Sequence, residues 1–429
     1  MHLLEELAWR DVIADSTDLG ALQVAMDDGP ITMYVGFDPT APSLHHGNLM
    51  QLITARRFQL AGHRVLGLVG GSTGLIGDPG GRTSERQLNS KELVADWVQR
   101  LQRQVEVILD FDGDNPARLV NNLDWTAPLS AIDFLRDIGK HFRVNRMLAK
   151  EAVSARLQSE AGISYTEFSY QILQGMDYLE LYRRYGCTLQ TGGSDQWGNL
   201  TAGVDLIRRV EGASTHALGT RLITKADGTK FGKTAGGAVW LDPQMFSPYA
   251  FHQFWLGADD QDIANWMKAF SLKPPGEIEQ LLEEGKQAPQ ARIPQRALAD
   301  ELTDLVHGAE QRVAAERAAE ALFGRADLAE LDELTLVAAL EEAGITDIAR
   351  SIDEAVPGLP RIAVLMRETG ISSGLGAARR TIDEGGAYLN NVRVSDPEAQ
   401  LTEADILAGS LVVLRRGKRT VAGARIISL

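Results

Sequence analysis

From about residue 31 to residue 77 the chain spells strand, turn, helix, strand in close succession, and that order leaves few folds open. Ile31-Thr32-Met33-Tyr34-Val35-Gly36-Phe37 is rich in β-formers, and Asp38-Pro39-Thr40-Ala41-Pro42 carries turn chemistry. Ser43 then leads a helical pattern through Leu49, Leu52, Ile53 and Phe58 that ends at Gly62. Val65 to Val69 is a short apolar run of the kind buried in a parallel sheet. Such alternation predicts a doubly wound α/β domain whose ligands sit at the carboxyl ends of the strands. Gly70-Gly71-Ser72-Thr73-Gly74 and Gly77-Asp78-Pro79-Gly80-Gly81 follow the second strand, where bare backbone can approach a ligand closely.

At 429 residues the chain is too long for one core, and two to four domains are expected. Residues 1 to 18 read as an acidic amphipathic helix, because Glu5, Glu6, Asp11 and Asp15 interrupt Leu3, Leu4, Leu7 and Trp9. That is no secretory leader, and no apolar run reaches membrane-spanning length, so a cytoplasmic protein without membrane attachment is expected. Helix-period patterns dominate 130 to 185 and return at 202 to 210 and 248 to 322, the last expected as a bundle of its own. Residues 310 to 356 are rich in Ala and Glu and end in Pro357-Gly358-Leu359-Pro360, a linker signal. The tail from 362 mixes a short helix, 377 to 384, with β-like runs at 387 to 389 and 411 to 414. Cys187 is the only cysteine, which excludes an internal disulfide and a four-cysteine zinc site; a small core residue is the ordinary reading.

Net charge of −15 argues, taken whole, against a nucleic-acid partner. Its distribution reverses that inference. From 361 to 429 there are 10 Lys/Arg against 7 Asp/Glu, a local +3, which leaves −18 on the preceding residues. Such asymmetry points to an appended module with its own partner.

Four segments carry chemistry. His45-His46-Gly47-Asn48 opens the first long helix, where free N–H groups suit phosphate; two solvated histidines are the alternative. Thr229-Lys230-Phe231-Gly232-Lys233-Thr234 puts two lysines on a glycine-rich loop able to cover a polyphosphate, or is an ordinary basic loop. Tyr170, Gln174 and Asp177 share one helix face next to Leu173 and Met176, so they need either an internal polar network or a ligand. Gly192-Gly193-Ser194-Asp195-Gln196-Trp197-Gly198-Asn199 follows the β-like 187 to 190 and either recognises hydroxyls or simply turns the chain.

Taken together, these segments resemble the bacterial tyrosyl-tRNA synthetases of class I over nearly the whole chain. Residues 39 to 48 are similar to the family's HIGH signature, and KFGKT at 230 to 234 to its KMSKS signature. The resemblance implies a Rossmann-like catalytic domain at 1–222, the KFGKT loop with a helical anticodon-binding domain at 223–322, a linker at 323–360, and a small α+β RNA-binding domain at 361–429 like one in a ribosomal protein. It implies that Tyr34 and Asp177 bind the tyrosine phenol, Tyr170, Gln174 and Asp78 its ammonium group, and Gln196 its carboxylate. Gly36, Asp38, Gly47, Asn48, Gly193 and Asp195 would frame ATP. Thr40 and His45 would meet the γ-phosphate, and Lys230, Lys233 and Thr234 the pyrophosphate, flanked by Arg82 and Arg86. Arg379, Arg380, Arg415, Arg416, Lys418 and Arg419 would contact tRNA phosphates.

Two positions depart from the family pattern. Asn48 replaces a second histidine, and Arg82 stands where lysine is common, keeping charge but not geometry. Partners implied are tyrosine, ATP with magnesium, tRNA, and a second copy of the chain meeting it through 129 to 157. No protein-held metal is expected. A tryptophan-specific relative and a non-catalytic RNA-binding descendant are the rival readings. Tyr34 with Asp177 favours a phenol, and intact His45, Lys230 and Lys233 favour catalysis.

Overall fold

The computed structural model describes residues 1–80, 88–158, 162–224, 231–234, 237–323, 326–350, 358–417 and 420–427, with backbone alone at Glu151, Ala152, Ala155, Lys233 and Thr234. Arg82, Arg86, Lys230, Lys418 and Arg419 lie outside the described residues, as does Pro357 of the expected linker. The chain folds as two units, Met1–Met245 with Ala258–Leu298, and Phe246–Gly257 with Ala299–Leu429.

The first unit is built on a six-stranded sheet: β1 (Ile13–Ser16), β2 (Thr32–Phe37), β3 (Arg64–Val69), β4 (Arg118–Asn121), β5 (Cys187–Gly193) and β6 (His216–Thr220). Their order is β1-β6-β5-β2-β3-β4, parallel except for β1. The chain runs outward from β2 through β3 to β4, then returns to the other side of β2 with β5. The strand order therefore reverses between β2 and β5, the position where open α/β sheets bind ligands. Strands buried on both faces read as unbroken apolar runs, and Met33, Tyr34, Val35 and Phe37 are each buried.

Helix His46–Leu60 joins β2 to β3 and buries Leu49, Leu52, Ile53 and Phe58, the residues that gave it its sequence period. Helix Lys91–Ile108 is capped by Ser90, which accepts from the Leu93 amide, and buries Val94, Val98, Leu101 and Val105 at helical spacing. Helix Tyr165–Tyr185 starts at a Ser164 cap and stops at Gly186, whose φ of 62° suits glycine. Cys187 is buried at the start of β5 and is a core residue.

The start of the chain differs from its sequence reading. The helix covers only Leu3–Trp9, Asp11 turns the backbone at φ 55°, and the next residues pair with β6 as β1. Exchange of ladder hydrogen bonds with β6 outweighs the acidic amphipathic pattern. Arg10 is buried, donating to the carbonyls of Lys268, Ser271 and Lys273. Arg57 joins it on Ala269 and Ser271, so two cations hold the carboxyl end of helix Ile263–Phe270.

Helices fill 248 to 322 as expected, but they do not form one bundle: Pro248–Leu256 belongs to the second unit, and Ile263–Phe270 and Pro275–Gln287 to the first. A two-residue pair, β7 (Lys233–Thr234) and β8 (Gly237–Ala238), lies at the end of the lysine loop. In the second unit, β9 (Ile345–Ala349), β10 (Ala387–Leu389), β11 (Val392–Arg393), β12 (Leu411–Arg416) and β13 (Thr420–Ile427) form a sheet of order β11-β10-β12-β13-β9. Helices Ile362–Glu368 and Leu375–Asp383 pack on it through Leu365, Met366 and Ile382. The stretch 323–360, expected as a linker, contains helix Glu333–Ala343 and β9, which pairs parallel with β13. Its Ala-rich pattern is a packing face: Ala339 and Leu340 are buried beside Ala318, Leu411 and Val413.

Candidate active site

β2 ends at Phe37 and its parallel neighbour β5 at Gly193, and the residues that follow each strand line the cleft at the switch point. Asp38 comes first. Its carboxylate accepts from Tyr170 Oη at 2.7 Å and from Thr73 Oγ1 at 2.5 Å, tying β2 to helix Tyr165–Tyr185 and to the turn after β3. Gly70 has to be glycine, because a Cβ there would overlap both Asp38 and Thr73. Thr40 is exposed at the mouth, its amide bonded to the Asp38 carbonyl at 2.8 Å.

Asp177 lies deeper, on the same helix as Tyr170 and 2% exposed. Asn122 Nδ2 donates to one oxygen at 3.0 Å and Trp125 Nε1 to the other at 2.8 Å. Burial nevertheless pushes its pKa up to about 7 against those two donated bonds. Beside it Tyr34 is buried, and its phenol is pushed above the usual tyrosine range by that burial and then by the Asp177 charge. The Tyr34 hydroxyl has no hydrogen-bond partner among the described residues, nor has Gln174 Oε1. Gln190, across from Tyr34 in the parallel register, carries a third such buried oxygen. Buried polar atoms are ordinarily paired, so an orphan group beside a cleft marks where a ligand is accommodated.

The rim is acidic. Asp78 accepts from Gln196 Nε2 at 2.7 Å, and Gln196 accepts in turn from Asn199 at 2.9 Å. Tyr170 is pushed above its usual range by burial first, then by Asp38, Asp78 and Asp177 together. Those carboxylates thus converge on one phenol, a field that favours a cation. Asp195 is exposed at the start of the next turn, and a Cβ on Gly193 would overlap its carboxylate.

The histidines are half-buried rather than solvated. His45 caps helix His46–Leu60: Gly47 N–H donates to its Nδ1 at 3.0 Å, while its own amide donates to Asn48 Oδ1 at 3.1 Å. Burial lowers its pKa, so the ring is neutral and carries its proton on Nε2, a donor available to an anion. Asn48 therefore closes a capping box and keeps only its amide nitrogen for a ligand. Gly36 is exposed on β2 and Gly47 half-exposed at the helix start, leaving bare backbone at both.

Models of two families match the chain: class I tRNA synthetases (W and Y) over 26–324, and the tyrosine–tRNA ligase SYY-like C-terminal domain over 353–422. The tyrosine–tRNA ligase of Streptomyces avermitilis is 60% identical over 425 residues, covering 99% of both chains. That of Acidothermus cellulolyticus is 59% identical, covering 98% of both. The chain belongs to the tyrosine–tRNA ligase family. Among solved structures, the C-terminally truncated mitochondrial tyrosyl-tRNA synthetase of Aspergillus nidulans superposes with a TM-score of 0.69 at 28% identity, over 75% of this chain and 94% of that one. A tryptophanyl-tRNA synthetase from Encephalitozoon cuniculi reaches 0.53 at 12% identity, a likeness of fold alone. The tryptophan rival and the non-catalytic rival both fall with membership of the tyrosine–tRNA ligase family.

In the family's C-terminal domain here, the basic residues are not equivalent. Arg379, Arg380 and Arg416 are exposed, with Arg379 paired to Glu398 at 2.9 Å. Arg415 is buried: its guanidinium stacks 4.1 Å from the Tyr388 ring centre and donates to the Gly417 carbonyl at 2.8 Å. It braces the β12 turn that presents Arg416. Thr73, Asn122, Trp125, Gln190 and His46 escaped the sequence reading. Asn122 and Trp125 sit in a stretch with no glycine signal or polar periodicity to mark it. His46 was visible only as the neighbour of His45.

Proposed function

We propose that the cleft between β2 and β5 holds tyrosine with its phenol on Tyr34 and Asp177, in an enzyme that activates tyrosine with ATP and transfers it to tRNA. The observation carrying this assignment is the buried Tyr34 hydroxyl, without a partner among the described residues, next to a buried carboxylate. A phenol can pair with the Tyr34 hydroxyl and donate to a remaining lone pair of Asp177, whereas a phenyl ring leaves the Tyr34 hydroxyl unpaired. The ammonium group goes to Tyr170, Gln174 and Asp78, where the carboxylates converge, and the substrate carboxylate to Gln196. ATP lies over Gly36, Asp38, Gly47, Asn48, Gly193 and Asp195, and it enters as the magnesium salt.

The tyrosine carboxylate attacks the α-phosphorus, the bond to the bridging oxygen breaks, and pyrophosphate leaves with its electron pair. His45 Nε2–H and Thr40 meet the γ-phosphate, while Lys230, Lys233, Thr234, Arg82 and Arg86 neutralise the departing charge. The 2′-hydroxyl of the terminal adenosine of tRNA then takes the tyrosyl group and releases AMP. No side-chain nucleophile is required; orientation and charge complementarity lower the barrier.

Two copies form the working unit in this reading. Ile132, Leu135, Val144, Leu148, Leu157 and Tyr165 are all exposed within one short stretch, an apolar surface that supports a second copy as its cover. Arg379, Arg380, Arg416, Lys418 and Arg419 take tRNA phosphates, with Arg415 as their brace. No helix among the described residues is long and apolar enough to cross a membrane, in keeping with work in the cytoplasm. Amino-acid-dependent pyrophosphate exchange across all twenty amino acids tests the assignment. Exchange driven by tyrosine alone supports it, and exchange driven equally by phenylalanine or tryptophan removes the phenol contacts.

A further inference from the structure

The lysine loop and the segment that follows it are both attached to the start of helix His46–Leu60, and one residue, His46, takes part in both attachments, by its backbone amide and by its ring. The His46 amide donates to the Val239 carbonyl at 2.9 Å, while His45 bridges to Trp240 beside it. Within the loop itself, Phe231 meets the His46 ring edge-on, with centres 4.9 Å apart and planes at 81°. Phe231 is 6% exposed, packed also against Trp266 at 4.5 Å and Phe270 at 5.5 Å. Those two rings belong to helix Ile263–Phe270, whose carboxyl end Arg10 and Arg57 hold.

Gly232 completes the fit. Its φ is +77°, and a Cβ there would fall on the His46 ring itself. Backbone of the loop therefore lies flat on an imidazole, with the lysines on either side of the contact: Lys230 precedes Phe231, and Lys233 follows Gly232. Burial lowers the His46 pKa to about 4, so the ring is neutral and packs as a small aromatic.

We propose that His46 is a positioning residue for activation: its ring is the wall against which Phe231 and Gly232 seat, and adenylate formation depends on that seat. The inference rests on the activation reading above. It assigns His46 no contact with substrate.

The test uses the full chain carrying His46→Ala, Phe231→Ala, the double substitution, and His46→Gln, which keeps a donor but loses the ring. Three quantities are read: the single-turnover rate of tyrosyl-adenylate formation at saturating substrates, the Kd for tyrosine, and the rate of trypsin cleavage after Lys230 and Lys233. Expected is about a tenfold slower rate for each single variant, with the double no slower than the worse single, since one contact is lost in all three. The Kd for tyrosine stays within about twofold, and cleavage after the two lysines quickens. His46→Gln behaves as His46→Ala. Unchanged rate and cleavage, additive losses in the double variant, or rescue by glutamine each overturn the proposal. Should His46→Ala not fold, Phe231→Ala against wild type carries the same comparison. Cleavage is read without turnover, so it reports on the seat separately from which amino acid the cleft activates.

Discussion

Asn122 donates through Nδ2 to Asp177 Oδ2 at 3.0 Å and to Thr73 Oγ1 at 2.9 Å, so one amide joins the floor of the cleft to its rim. Thr73 passes the link to Asp38, and Asp38 to Tyr170. Helix Tyr165–Tyr185 is thereby tied to the turns after β2 and β3 and to the segment after β4. A network connected this way orients each carboxylate before substrate arrives.

Tyr34→Phe is expected to narrow tyrosine-over-phenylalanine discrimination by about 1 kcal/mol, the worth of one neutral hydrogen bond. Ring volume is kept, so packing against Tyr178, 5.3 Å away, is preserved. Competing kcat/KM values in the exchange assay measure the ratio. An unaltered ratio makes Tyr34 a packing residue.

Asp177 gives the fold a pH dependence with a defined sign. Its folded pKa is raised to about 7 by burial, while the unfolded carboxylate titrates near 4. Between those values the native state binds the proton more tightly, so stability from this group is present at low pH and lost as pH rises to about 7. Asp177→Asn lacks that titration, so the stability gap between wild type and variant is expected to shrink from pH 5 to pH 8 in urea melts. A gap independent of pH means Asn122 and Trp125 keep Asp177 ionised throughout.

Lys233→Ala is expected to slow adenylate formation far more than it weakens either substrate, because a side chain reaching pyrophosphate acts in the transition state. A variant with unchanged rate and only a higher KM for ATP ends that assignment. His45 is lowered from the ordinary histidine range by burial, so any limb it contributes to the wild-type pH–rate profile is expected on the acid side of that range.

The exposed arginines are expected to act through charge alone. Arg380→Ala and Arg416→Ala should each weaken tRNA binding and reduce the magnitude of the salt slope by about 1, while leaving adenylate formation intact. Filter binding across a salt series reads this. Removal of the tail is a poorer test, because the second unit packs Tyr249 and Ala318 with Leu411 and Val413 in one core.

Arg156 and Glu167 form an ion pair at 2.8 Å, both about 2% exposed. Glu167→Ala removes the carboxylate from a buried guanidinium that keeps its bond to the Gly162 carbonyl, and is expected to cost about 3 kcal/mol in urea denaturation. A loss below about 1 kcal/mol would show that water or a rearranged carbonyl takes over.

What the sequence determined by itself is local and periodic. The β-formers at 31 to 37, the helix period from 46 to 60, and the Gly70 and Gly193 turns state both a doubly wound sheet and where its ligands go. Spacing alone put Tyr170, Gln174 and Asp177 on one face, because a helix repeats every 3.6 residues wherever it stands. The tertiary structure decided the contacts between distant segments. Asn122 reaches Asp177 across 55 positions, and His46 meets Phe231 and Gly232 only once β2 and the lysine loop are brought together. β1 and β9 belong here too: each is a short segment that becomes a strand only because β6 or β13 offers it a ladder. Arg415 reads as one more basic residue in a cluster, and its burial on Tyr388 depends on a ring from another strand. Hydrogen-bond partners, ring contacts and burial are properties of pairs, and a single position carries no record of its partner until the chain closes around both.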